Sequence, residues 1–334
     1  MKKCLITGGA GLIGSHLAVY LLSKGYEITI IDDLSTGNIQ NIPSSIKFIR
    51  EPLENVNEDV FSDIDVVYHL ASISGEAISL YAPTPCFQRN INASYNLILN
   101  SMKSDVKRIV FTSSMAVYGN KNSPPFDETD NCDPTDPYGL SKYTIEKLLQ
   151  VYADSNNIEW TILRLHNVYG PNMNLHDPYR GVIGIFINRL LRGKAPVLYG
   201  NGNHLRAFTY IDDIIPYIAK AGFDENCNKE IINLGSGSKT RLLDLAKILC
   251  EMTDCTEEIM HFPSRLGEAE YAYTTTKKSE EILGFQDQTD LSKGLLYTLN
   301  WAKTQDIEQF KYDLMKLDFD LNCEIPLPWK NRLL

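Results

Sequence analysis

Met1-Lys2-Lys3-Cys4-Leu5-Ile6-Thr7-Gly8-Gly9-Ala10-Gly11-Leu12-Ile13-Gly14 passes from a short apolar run into a glycine cluster. Apolar Leu12, Ile13, Leu17, Ala18, Leu21 and Leu22 follow at helical spacing. The pattern predicts strand, glycine turn, helix. Glycines at 8, 11 and 14 let the backbone approach a pyrophosphate, and a helix N-terminus offers unpaired N–H groups and the positive end of a dipole. A second apolar run, Glu27 to Ile31, ends in Asp32 about twenty residues after the glycines, where a carboxylate accepts bonds from an adenosine ribose. Such a carboxylate repels a 2′-phosphate, so the expected cofactor is NAD rather than NADP. Asp33 beside it is expected to be more solvated.

Working outward, strand-like and helix-like runs alternate. Ile46 to Ile49, Asp65 to Leu70, Lys107 to Ser113 and Glu159 to Leu165 read as strands, with helices between them that include Asn92 to Met102 and Tyr138 to Ala153. Alternation of this kind predicts a Rossmann-type α/β fold, a doubly wound parallel sheet with ligands at the carboxyl ends of its strands. Residues 1–170 read as the NAD-binding domain, with a later segment near 205–235 returning to it. Residues 171–334, irregular and rich in Pro, Gly, Asn and Tyr, read mainly as a smaller substrate-binding domain and a tail.

Composition narrows the class. The 334 residues are 43% hydrophobic and 22% charged, enough for a sizeable core and unlike a disordered chain. The net charge of −10 argues against nucleic acid as a partner, though arginines focused in a cleft could still hold an anionic small molecule. No stretch is apolar enough to span a bilayer, and the first strand begins beside Met1, so the expectation is a cytoplasmic protein with no membrane partner. Seven scattered cysteines, Cys323 among them, fit reduced thiols. Six histidines lie at no zinc-like spacing from them, and no metal is expected.

Thr112-Ser113-Ser114-Met115-Ala116-Val117-Tyr118-Gly119 and Tyr138-Gly139-Leu140-Ser141-Lys142 carry the candidate chemistry. Tyr138 and Lys142 are four residues apart and share a helix face, while Ser114 at a strand end can point to the same place. A free tyrosine titrates near about 10, and a neighbouring ammonium favours its phenolate, so the trio reads as a proton-transfer site.

With these motifs in order, the chain resembles an extended short-chain dehydrogenase/reductase of the NAD-dependent epimerase/dehydratase family, and within it the sugar-nucleotide 4-epimerases, over roughly residues 1–300. The resemblance implies cofactor contacts from Gly8, Gly11, Leu12, Ile13, Gly14, Asp32, Asp33, Leu70, Ala71, Asn90, Tyr138 and Lys142. It implies a catalytic trio of Ser114, Tyr138 and Lys142, with Lys142 on the nicotinamide ribose. On the substrate side, Asn167 and Arg206 resemble diphosphate contacts, and Arg265-Leu266-Gly267-Glu268 resembles a turn giving a second arginine and a ribose-binding carboxylate. Guanidinium forks suit phosphate, and carboxylates suit ribose hydroxyls. Tyr179 and Arg180 lie in a loop that could also face the substrate. Ala272, flanked by Tyr271 and Tyr273, falls where relatives wall the sugar 2-position, and a small residue there would admit an acetamido group. A homodimer is implied, paired through the helices near Asn92–Met102 and Tyr138–Ala153, whose faces carry Leu97, Ile98, Tyr143, Ile145, Leu148 and Leu149.

The chain departs from the family pattern at several places. Glu51-Pro52 replaces a Gly-Asp whose Asp contacts adenine, Thr275 stands where Asp is frequent, and Ser72, Ile73 and Ser74 stand where a lysine often follows the fourth strand. The tail from about Lys303, ending Pro326-Leu327-Pro328-Trp329-Lys330, has no recognised counterpart. Between Ser114 and Tyr118, Met115-Ala116 lacks the acidic residue of family dehydratases and decarboxylases and the cysteine of epimerases that invert beside the keto group. Hydride transfer with one base remains. The leading expectation is a nucleotide-sugar 4-epimerase; a net 4-dehydrogenase or 4-ketoreductase, or a non-catalytic NAD-sensing protein, stays open.

Overall fold

The computed structural model describes residues 2–119, 123–314, 316–318 and 325–334; Met1 and Cys323 lie outside the described residues. Its main sheet is built from β1 (Lys3–Thr7), β2 (Glu27–Ile31), β3 (Lys47–Ile49), β4 (Val66–His69), β5 (Arg108–Ser114), β6 (Glu159–Leu165) and β7 (Glu230–Leu234). They lie in the order β7-β6-β5-β4-β1-β2-β3, all parallel. This is the Rossmann-type doubly wound arrangement. The helices around the site include α1 (Leu12–Ser23), α2 (Glu76–Ser79), α3 (Ala93–Lys103) and α4 (Pro137–Asn156).

Burial on both faces explains the near-continuous apolar strands. On one face, Cys4, Ile6, Ile30, Tyr68 and Val110 pack with Leu17 and Leu21 of α1 and with the helix Ile211–Ala221. On the other, Leu5, Ile31, Val67, Ile109 and Phe111 pack with Leu97 and Ile98 of α3 and Ile145 and Leu149 of α4. Four of the residues expected at a dimer contact are therefore core. The outward faces of these helices instead carry Tyr95, Leu140 and Val151. The chain is wound wide over Phe87–Asn92 just before α3.

Beyond β6 the elements are short. Val168–Tyr169 pairs with Thr209–Tyr210, Val197–Tyr199 with Met260–Phe262, and Leu205–Ala207 with both Lys239–Arg241 and Tyr271–Ala272. Among the described residues, no helix is long and apolar enough to cross a membrane, and six cysteines are free thiols.

Candidate active site

A cavity of about 1010 Å³ opens along the carboxyl ends of β1, β2, β4, β5 and β6. At one end it is floored by the glycine turn. Gly8 adopts φ +70°, and a Cβ there would stand 2.8 Å from the Ala71 backbone; one at Gly14 would stand 2.3 Å from the Gly8 carbonyl. Those glycines are demanded by packing. Gly11 is not: its φ is −79°, and an added Cβ would meet only the Gly8 carbonyl, at 3.4 Å. What a side chain at Gly11 would fill is the cavity itself, beside the start of α1, which has no side-chain cap and no acidic residue in its first turn. That uncapped positive end is chemically suited to a diphosphate.

Asp32 closes the same end. Its Oδ2 accepts from Ala10 N at 2.9 Å and its Oδ1 from Leu34 N at 2.8 Å, leaving lone pairs on both oxygens facing the cavity. Burial holds this carboxyl above its usual range. The arrangement fits a dinucleotide with a free ribose diol. Asp33 departs from the solvated reading, because it is ion-paired with Arg89. Burial would raise its pKa, but bonds from Ser35 and the Arg89 charge bring it below the ordinary carboxylate value. Leu12, Ile13, Leu70 and Ala71 line the cavity as expected of residues beside the turn and the β4 end. His69 locks these two loops: its ring nitrogens bond Thr7 Oγ1 at 2.8 Å and Ser94 Oγ at 2.7 Å, and Thr7 Oγ1 accepts from Ala71 N. Burial pushes the imidazole down to about 3, so it is neutral.

Midway along the wall, Ser114 at the end of β5 hydrogen-bonds Tyr138, and both face the cavity. Asp136 caps α4 by accepting from Gly139 N at 2.9 Å, and Pro137 occupies the first turn, which fixes the position of Tyr138. Lys142 sits behind it, off the cavity wall and buried, donating to the Thr112 carbonyl at 2.8 Å with its ammonium 5.9 Å from the Tyr138 ring centre. Burial brings the lysine down to about 7. Burial also pushes Tyr138 up, against the Ser114 bond. The Lys142 ammonium is directed to the Thr112 carbonyl and toward the Tyr138 ring, and desolvation is the largest influence on the phenol.

The far end carries the phosphate-compatible groups. Arg206, Arg265, Glu268 and Asn167 all line the cavity. Arg206 spends its donors on the carbonyls of Leu205, Ala269 and Glu270, so it braces the turn bearing Arg265. Arg265 donates to Glu268 at 3.2 Å. Asn167, at φ +40°, donates to Ala207 O at 2.8 Å. Tyr179 and Arg180 also face the cavity, with Arg180 bound to Asp177 at 2.6 Å and to the Ser74 carbonyl at 2.8 Å.

Two further expectations are corrected. Asn90 does not reach the cavity; its amide accepts from Ile73 N at 2.7 Å and donates to Ile73 O and Ser141 Oγ, pinning the loop after β4 to α4. Ala272 is buried behind the wall, packed with Met115, Val117, Tyr118 and Phe126, so it cannot wall a sugar.

The sequence reading missed Glu76, at the head of α2. It faces the cavity, and burial together with the Asp136 charge pushes its carboxyl up to about 7, with Arg206 and Arg265 opposing. Ser79 ties this turn to α4: its Oγ accepts from Tyr138 N at 3.1 Å and donates to the Glu76 carbonyl at 2.7 Å. An acidic residue just past the fourth strand was the available signal. Also missed was the buried pair Arg164–Glu146 at 2.7 Å, which bolts α4 to β6.

A parallel sheet whose glycine turn, ribose-suited carboxylate and Ser–Tyr pair share one cavity defines a dinucleotide-dependent enzyme. The model of the NAD dependent epimerase/dehydratase family matches residues 4–235, and the chain belongs to that family; its cofactor is NAD. It is 36% identical over 306 residues to a Methanocaldococcus jannaschii protein provisionally assigned as a UDP-glucose 4-epimerase, covering 90% of this chain and 98% of the relative. It is 34% identical to a UDP-N-acetyl-alpha-D-glucosaminuronate decarboxylase of Bacillus cytotoxicus, covering 90% and 98%. Among solved structures, the UDP-N-acetylglucosamine 4-epimerase of Methanobrevibacter ruminantium, in complex with UDP-N-acetylmuramic acid, superposes with a TM-score of 0.86 at 29% identity, covering 91% of this chain and 99% of the other.

Proposed function

We propose that this chain is a nucleotide-sugar 4-epimerase that works by transient oxidation at the sugar 4-position, on a UDP-hexose or UDP-N-acetylhexosamine. The observation that carries the reading is that one cavity is lined by the glycine turn and Asp32, by Ser114 and Tyr138, and by Arg206, Arg265 and Glu268. Such a set suits a dinucleotide and a nucleotide sugar that meet at Tyr138. NAD, when bound, supplies a reversible hydride acceptor and a cationic ring. Tyr138 takes the proton of the 4-hydroxyl and returns it to the inverted alcohol, while Ser114 donates a hydrogen bond to the sugar oxygen. Lys142 fixes the tyrosine ring from behind, and its charge opposes part of the burial penalty on the phenolate. Arg265 and Glu268 take the diphosphate and ribose.

An epimerase must keep its reduced cofactor between half-reactions. Purified protein should therefore retain NAD(H) through desalting and interconvert the 4-epimers of UDP-glucose or UDP-N-acetylglucosamine without added cofactor. Stoichiometric, cofactor-limited oxidation would instead indicate a net 4-dehydrogenase, and no turnover of either pair would reject the assignment.

Glu76 favours a second reading. Once the 4-hydroxyl is a ketone, the adjacent C–H is acidic, and a carboxylate in the cavity can take that proton, becoming the acid while the sugar becomes an enolate. The missing acidic residue after Ser114 is then supplied from α2. Turnover in D₂O separates the two: a 4-epimerase returns product with no carbon-bound deuterium, whereas deuterium beside C4, lost in Glu76→Gln, supports the second reading.

A further inference from the structure

The segment with no recognised counterpart reaches the nucleotide end of the cavity. Trp329, in the short helix Leu327–Lys330, is buried against Tyr81 and Tyr179, each ring edge-on at 5.5 and 5.3 Å, and its Nε1 donates to Pro178 O at 3.1 Å. Its position is fixed further along the chain: Leu333 N returns to Pro328 O, Leu334 N donates to the Tyr312 hydroxyl at 3.1 Å, and Arg189 donates to Leu333 O. The Arg265 guanidinium lies between two aromatic faces, 4.3 Å from the Tyr199 ring centre and 5.4 Å from that of Trp329. Tyr199, Arg265 and Leu334 face the cavity, whereas Trp329 is not on its wall.

A free arginine has substantial rotamer entropy to lose on binding an anion. One already clamped between rings, with Glu268 on its Nε, has lost most of it before the ligand arrives. The same clamp keeps the fork pointing at the cavity instead of collapsing along the surface. We infer that the 325–334 segment is a working part of the nucleotide subsite, in which Trp329 is a positioning residue that holds Arg265 against Tyr199 and thereby sets the affinity for a nucleoside diphosphate. This rests on the reading that Arg265 grips the nucleotide half of the substrate.

The test is calorimetric titration of the NAD-loaded full chain with UDP, and with dTDP and GDP in turn, for wild type, Trp329→Phe and Trp329→Leu, beside NAD affinity and thermal unfolding of each. Both variants lose the bond to Pro178; only phenylalanine keeps an aromatic face. The expected result is that Trp329→Leu weakens nucleoside diphosphate binding roughly tenfold. Trp329→Phe stays within about threefold of wild type by the same cation–π argument, and NAD affinity is unchanged in both. In turnover, Trp329→Leu raises KM and leaves kcat in place. Equal affinity in wild type and Trp329→Leu overturns the inference alone, as does equal weakening in both variants, which would mean lost packing. A Trp329→Leu chain that also loses NAD reports general damage and overturns it too. Wild type that binds none of the three diphosphates rejects the nucleotide-sugar reading itself.

Discussion

Tyr138→Phe keeps the ring on which Lys142 rests and removes only the oxygen bonded to Ser114. Turnover of the competent nucleotide sugar should fall by about 10²–10⁴, the usual worth of a positioned acid–base group, with NAD binding unchanged. Near-normal turnover would remove Tyr138 from the mechanism. Asp32→Ala should weaken NAD roughly tenfold or more and narrow the gap to NADP, since it deletes a charged acceptor and also frees Ala10 N of the glycine turn. Unchanged cofactor affinity would mean that the ribose is held elsewhere. Glu76 carries a pH signature. Its folded-state value, about 7, lies above the ordinary 4.5, so the folded protein binds the extra proton between those limits and wild-type stability falls as pH rises through them. Asp136, Arg206, Arg265, Glu268 and Tyr138 are the charged and titratable groups around it. The melting temperature of Glu76→Gln should therefore gain on wild type from pH 4.5 to 7; a constant difference would reject the shifted carboxyl. At this scale the sequence displayed the glycines, Asp32, Ser114, Tyr138 and Lys142, because their spacing is local. It hid Glu76, whose meaning depends on which wall α2 stands against.

The placement of α4 depends on groups far apart in sequence. Glu146, wholly buried, receives Arg164 of β6 and the Ser113 hydroxyl of β5, so the helix carrying Tyr138 and Lys142 is bolted to two strands. Arg164→Ala leaves that carboxylate buried and unpaired, and should cost about 3–5 kcal/mol in denaturant unfolding. Cost under about 1 kcal/mol would mean that the pair is solvated. Ala272 tests the opposite kind of site. Because it packs behind the wall with Met115 and Tyr118, Ala272→Tyr should overpack that cluster and destabilise by about 1–3 kcal/mol, lowering activity on plain and acetylated sugars alike. Selective loss of the acetylated pair would restore the residue to the sugar pocket. Strand and helix spans were legible to within a residue or three, as with Glu27–Ile31 and Glu159–Leu165, because periodicity and buried apolar runs are local signals. The packing partner of a two-residue strand such as Tyr271–Ala272 is not.

The whole molecule presents an apolar stripe on the outward side of α4. Leu140 and Val151, 44% and 64% exposed, fall three helical turns apart on one face, with Tyr95 of α3 and Tyr152 of α4 in edge contact nearby. We expect a two-fold homodimer through this stripe, isologous pairing being the commonest arrangement. Sedimentation should give a dimer at micromolar concentration, and Leu140→Asp with Val151→Asp a folded monomer; a monomeric wild type would reject the pairing. Leu97, Ile98, Ile145 and Leu149, four of the six residues expected at that contact, show where sequence reading stops, since an apolar helix face does not say whether it meets its own sheet or another chain. By itself the sequence determined the parallel doubly wound sheet, the glycine turn and the approach of Ser114 to Tyr138, because each is written in short-range spacing that backbone geometry converts directly into position. Only the tertiary structure decided that Asn90 and Ala272 are buried off the cavity wall, that Tyr138 is desolvated, and that Trp329 packs beside Arg265. Those facts depend on desolvation and on contacts between distant segments, which exist only once the chain has packed.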